Sequence, residues 1–158
     1  EEKNEIINEY TPAKEITDEQ ARQTTVSLYY KSKTTGELIP EDRRIDSKNL
    51  LENPYKYLIE LLIENPKSED LESTIPEGTK VIKATLKGTT VEIDFSKDFI
   101  EKHTGTKEEE QKTIDSILKT LVQLNEVEKI KILKEKKENQ EFNDKEINFK
   151  NVFEKNET

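Results

Sequence analysis

The chain of 158 residues contains no cysteine, no methionine and no tryptophan, and only one histidine. Without cysteine there are no disulfides, no thiolate metal ligands and no cysteine nucleophile. One histidine likewise excludes a multi-histidine metal site. No apolar run approaches the ~20 residues that a membrane-spanning helix needs. Positive charge is short as well, with 26 Lys+Arg against 35 Asp+Glu and a net charge of −9. That balance argues against a nucleic-acid-binding face and against electrostatic attachment to anionic lipid. The four glycines stand apart from one another, so there is no phosphate-cradling loop. The missing methionine means that Glu1 is not a translation start, and a signal peptide or anchor is expected to have preceded it.

Hydrophobic residues make up 30% of the chain and charged residues 39%, a balance bordering on disorder if it were spread evenly. It is not spread evenly. Residues 1–23 carry seven acidic side chains against three basic ones, with Pro12 and no sustained amphipathic period. They read as an acidic linker or tether, followed by a single domain over 24–158. Within it, Val26, Leu28 and Tyr30 alternate in a strand pattern. A turn at Thr34-Thr35-Gly36 leads to a ribbon over 38–45, where Pro40 predicts an irregular or edge strand.

A helix follows with readable ends: Asn53 as N-cap, Pro54 at the first position, and Tyr55, Leu58, Ile59, Leu62 and Ile63 as its buried stripe. Asn65, in left-handed backbone, and Pro66 are expected to close it. Residues 67–78 read as a loop pinned by Leu71, Ile75 and Pro76. Two alternating runs around Lys87-Gly88-Thr89 predict a hairpin. Ser96 is expected to cap a short helix containing Asp98, Phe99 and Ile100. Thr106 and Glu109 form a capping box for a second long helix, with a stripe of Ile114, Ile117, Leu118, Leu121 and Val122. A strand containing Val127, Ile130 and Ile132, a polar stretch, and a tail holding Phe142, Ile147, Phe149, Val152 and Phe153 complete the chain. The order predicts an α+β, two-layer fold, a small mixed sheet packed against two helices.

Several of these pieces, in this order, resemble the GerMN domain family of bacterial sporulation and spore-germination proteins and related lipoproteins. They are the strand Val26-Ser27-Leu28-Tyr29-Tyr30, Arg43-Arg44-Ile45, the helix end Leu61-Leu62-Ile63-Glu64-Asn65-Pro66, the loop Leu71-Glu72-Ser73-Thr74-Ile75-Pro76-Glu77-Gly78-Thr79, the segment Val91-Glu92-Ile93-Asp94-Phe95-Ser96-Lys97-Asp98-Phe99, and Ser116-Ile117-Leu118-Lys119-Thr120-Leu121 running on to Val127–Ile132. The sequence departs from the pattern after Ile132, where Glu135-Lys136-Lys137-Glu138 replaces a glycine-containing turn. The resemblance implies a fold similar to ring-building-motif domains and a non-catalytic, extracytoplasmic module without cofactor. It further implies a lipid anchor on the outer face of the cytoplasmic membrane of a Gram-positive bacterium. The partners it implies are envelope or sporulation-complex proteins, or further copies of the same chain.

The residues offer little competing chemistry. His103 reads as a helix-end imidazole near the negative end of the dipole, and no nucleophile-elbow pattern accompanies it. Asp94 and Asp98 flank Ser96 and resemble a carboxylate pair, but strand-end and helix-start roles account for both. Neither catalytic, cofactor-binding nor metal residues are assigned. Arginine and tyrosine favour interface centres, so Tyr29, Arg43 and Arg44 are the expected partner-surface residues. A sheet edge is an equal candidate, by strand addition. The alternative reading is a cell-wall module that holds peptidoglycan or another glycan through exposed tyrosines, with Tyr29 and Tyr57 as platforms. Tyr30 and Tyr55 are the core-facing counterparts in that reading.

Overall fold

The computed structural model describes residues 22–103, 106–134 and 153–154. The expected tether therefore lies outside the described residues but for its last two, as do the polar stretch after Lys134 and Phe142, Ile147, Phe149 and Val152.

Alternation of Val26, Leu28 and Tyr30 produces strand β1, Gln23–Ser32. It pairs antiparallel with β2, Leu38–Asp46, from Gln23 opposite Asp46 to Lys31 opposite Leu38. Of the two alternatives for this ribbon, irregular or at an edge, the first does not hold, since it is a regular strand of nine residues. It does lie at a sheet edge, where Pro40 is tolerated. A 3-10 turn over Ser47–Leu50 leads to helix α1, Pro54–Ile63. Asn53 caps α1 through its side chain, which accepts from Lys56 N–H at 3.0 Å, while its amide donates to Ala84 O at 2.9 Å. The exit differs from expectation. Glu64 leaves the helix in extended backbone, φ −71° and ψ 160°, so no left-handed Asn65 is needed there.

The loop after α1 holds a two-residue strand, β3 (Leu71–Glu72), antiparallel to the end of β1. Strands β4, Val81–Lys87, and β5, Thr90–Phe95, make the expected hairpin. Gly88 occupies its turn at φ +66°, a backbone that favours glycine. Helix α2, Asp98–Glu101, follows without a side-chain cap. Ser96, expected as that cap, instead accepts from Lys80 N–H at 3.0 Å and closes the open end of the hairpin. Helix α3, Lys107–Leu121, opens with the Thr106–Glu109 capping box, both bonds formed. Strand β6, Lys129–Lys134, runs parallel to β5, and β7, Phe153–Glu154, pairs antiparallel with β6.

The α+β expectation holds, with the strands divided between two sheets, β2-β1-β3 and β4-β5-β6-β7. Both sheets and both long helices feed one core, in which Tyr30, Leu58, Ile93, Phe95, Phe99 and Ile117 are fully buried. Phe95 and Phe99 stack with ring centroids 4.1 Å apart. The edge of β1 facing away from β2 is covered by α3. Ser116 Oγ donates to Tyr29 O at 2.6 Å, Tyr29 N–H donates to Thr120 Oγ1 at 3.2 Å, and the Gln123 amide exchanges two bonds with Ser27. Gln123 thereby substitutes for one peptide unit of a missing neighbouring strand.

Candidate functional site

A groove of about 740 Å³ opens where the end of α1, the β3 loop and the α2–α3 connection meet. Ile75 anchors its floor in the core, while the walls are mostly polar. Lys31 reaches Glu109 Oε2 at 3.5 Å and Glu72 Oε2 at 3.8 Å, and Lys102 pairs with Asp98 at 3.4 Å. Its cations are therefore already engaged by carboxylates.

His103 forms part of one wall, 7% exposed. It stands at the end of α2, as its position predicts, and is buried there. Its Nε2 lies 2.7 Å from Thr113 Oγ1, which in turn lies 2.9 Å from Thr74 O and 3.2 Å from Glu109 O. A threonine hydroxyl has one proton to give, and both nearby carbonyls can only accept. Thr113 therefore donates to a carbonyl, and His103 Nε2–H donates to Thr113. A general base would need the reverse, an imidazole accepting the hydroxyl proton. What this relay does is tie the β3 loop to α3. Burial pushes the His103 pKa below its ordinary value, with Glu109 opposing in part.

Among the described residues no group of three or more His, Asp or Glu is placed to hold a metal. Asp94 lies 4% exposed on β5, while Asp98 opens α2 and pairs with Lys102, so the two serve different elements.

The three expected partner-surface residues are not brought together. Ladder register places Tyr29, Pro40, Asp42 and Arg44 on the outer face of the three-stranded sheet, and Arg43 opposite Val26 on the inner face. Arg43 is 10% exposed at its side chain and pairs with Glu41, which also accepts Lys67 and Ser68 N–H. Tyr30, buried against this pair, donates its hydroxyl to Leu61 O at 2.8 Å. Two inward charges on the edge strand are thus braced against the α1 exit. Arg44 is exposed and makes no ion pair among the described residues. Tyr29 is half-buried, with Lys119 Nζ 5.9 Å from its ring centroid. It stands four residues of β2 from Arg44 across the ladder, roughly 13 Å at strand rise. Tyr55 and Tyr57 pack beside the core, their hydroxyls bonded to Glu126 and Asn49.

The profile of the Germane family, described as sporulation and spore germination, matches residues 27–140. No curated protein sequence matches the chain. Among solved structures, the tandem GerMN domains of the sporulation protein GerM from Bacillus subtilis align with TM-score 0.71 and 18% identity, covering 89% of this chain and 48% of that one. The chain thus spans about half the length of that tandem structure. The first GerMN domain of the same protein aligns with TM-score 0.64 and 24% identity, over 77% of this chain and 90% of that one. A Clostridium perfringens protein described as a candidate lipoprotein aligns with TM-score 0.55 and 23% identity, over 89% and 93%. At these identities the structural likeness bears on the fold. Family membership comes from the profile, which covers most of the chain: the protein belongs to the Germane family of sporulation and spore germination, with a GerMN-like fold.

Proposed function

We propose that this chain is a non-catalytic, extracytoplasmic module that works by protein–protein contact, held at the outer face of the cytoplasmic membrane of a Gram-positive bacterium by a lipid anchor. Its family membership over residues 27–140 is the observation that carries this reading. The likeness to a protein described as a candidate lipoprotein supports the anchor. No helix among the described residues is long and apolar enough to cross a membrane. The His103–Thr113 relay supports a structural rather than catalytic histidine, since its proton runs the wrong way for a general base. A fold similar to ring-building-motif domains, with envelope or sporulation-complex proteins as partners, completes the proposal.

No observation favours the glycan reading, because the tyrosine faces are dispersed and two of them pack beside the core. The test runs both readings together. The chain, tagged and crosslinked in the bacterium that makes it, is expected to recover a reproducible set of envelope proteins and to pass through purified peptidoglycan unretained. Saturable retention on peptidoglycan, lost on Tyr29→Ala with Tyr57→Ala, and no recovered protein, would overturn the proposal.

A further inference from the structure

The groove beside the β3 loop is held open by its own walls. Ser73 Oγ donates to Leu62 O at the end of α1 and accepts Ile75 N–H at 3.2 Å. From α3, the His103–Thr113 relay reaches Thr74 O at 2.9 Å. Gly78, at φ +94°, lies against the Asp98–Lys102 pair, where an added Cβ would stand 3.2 Å from both Asp98 Oδ2 and Lys102 Nζ. The loop is thus fixed to three helices without filling the space between them, and every residue lining that space is a described one. A wall fixed before a ligand arrives lowers the ordering cost of binding.

The charge of the groove is unbalanced. Glu64, Glu72, Glu77 and Glu109 line it against Lys31 and Lys102, four carboxylates to two ammonium groups. Lys31 is shared between Glu72 and Glu109, and Lys102 turns to Asp98. Glu64 and Glu77 are exposed and make no ion pair among the described residues. His103, kept neutral by burial, adds no compensating charge at neutral pH. Beside the carboxylates lie apolar surfaces of Ile63, Ile75 and Pro76. Thr74 Oγ1, in the same wall, is buried without a hydrogen-bond partner, a deficit that a bound polar group would make good.

These features discriminate among occupants. An anion would have to take Lys31 from two carboxylates, and a wholly apolar ligand would desolvate Glu64 and Glu77 without pairing them. A second copy of the chain, itself at −9, is repelled overall. A long alkyl stem ending in a positive charge suits the apolar surfaces and the carboxylates together, and a peptide main chain brings polar groups for Thr74. We propose that the groove receives a lysine or arginine side chain presented by a basic segment of a partner protein, its stem over Ile63, Ile75 and Pro76 and its head at Glu64 and Glu77. This inference rests on the interaction-module reading and gives that module a docking surface and a partner chemistry.

Backbone amide NMR of the full chain, titrated with N-acetyl-lysine methylamide and N-acetyl-arginine methylamide, tests it. Saturable shifts are expected at groove amides such as Glu64, Asn65 and Glu77, with a Kd on the order of 1 mM for so small a probe. The neutral N-acetyl-norleucine methylamide and the acidic N-acetyl-glutamate methylamide should leave those amides unmoved. Butylamine, which has stem and head but no peptide groups, should bind about threefold or more weakly. Glu64→Gln with Glu77→Gln should weaken the lysine probe about fivefold or more. Glu60→Gln with Glu128→Gln, the same charge change at exposed sites off the groove, should leave it within about twofold. Equal weakening by both pairs, shifts centred off the groove, or equal binding of butylamine overturns the inference. If the probes fail to bind and the chain still captures envelope proteins in cells, the groove fails and the module reading stands. If neither binding nor capture is seen, both fail.

Discussion

His103 is the chain's one imidazole, buried against Thr113 and held below its ordinary pKa by that burial. The unfolded chain takes up a proton near pH 6.5 that the folded chain resists, so stability falls as pH drops below about 6.5 and levels off once the folded imidazole titrates. Glu41 is the comparison. Burial would raise its pKa, but Arg43 and the Lys67 and Ser68 N–H groups outweigh that and hold it below the ordinary value. Its contribution is kept above about 4.5 and lost only under stronger acid. Urea midpoints between about pH 5.5 and 7.5 should therefore slope upward with pH for the wild-type chain and run flat for His103→Gln. An unchanged slope in the variant would remove His103 from the account. The two arginines should likewise separate. Arg43→Ala leaves Glu41 without its guanidinium in a largely enclosed site and should cost about 2–3 kcal/mol, whereas Arg44→Ala should stay within about 0.5 kcal/mol, both read from urea unfolding. Sequence alone treated the two as a pair, because adjacency is visible in a sequence and strand face is not until the register is known.

At the scale of elements, helix termini and apolar stripes were legible because their signals are local. Asn53-Pro54 and Thr106-x-x-Glu109 mark both long helices where the structure begins them. The polar side of α3 was not legible. Ser116, Thr120 and Gln123 have the spacing of a solvated helix face, yet they bond to β1 backbone 87 to 96 residues earlier in the chain. Nothing near them in sequence names that partner. The regularity of β2, though not its edge position, was hidden for a related reason: inward Glu41 and Arg43 erase the apolar alternation by which a half-buried strand is recognised. The α3 contacts are open to test. Ser116→Ala with Thr120→Val keeps the helix but orphans both backbone groups of Tyr29, and should cost roughly 2 kcal/mol. Amide exchange at Tyr29 should accelerate with it. A loss confined to helix content, with Tyr29 still protected, would show that α3 does not cover the strand.

Taken whole, the molecule has two small sheets sharing one core, where the sequence suggested a single sheet. The longer strands, their order and the β4–β5 hairpin could be read from periodicity and turns, but the two-residue strands β3 and β7 could not, and which strands share a ladder depends on pairings such as β5 with β6, reached only through α3. The groove was hidden for the same reason, since its walls come from β1, α1, the β3 loop and both ends of the α2–α3 connection. Family membership, and a groove whose lysines are already engaged by carboxylates, fit the proposed reading of a domain that works by contact. Photo-crosslinking in the producing bacterium, with the reactive residue at exposed Arg44 on β2 and a control at exposed Lys97 beyond β5, tests this most directly. The account predicts discrete protein adducts from position 44, and none of these from position 97. Adducts equal at both positions, or none at either, would contradict it.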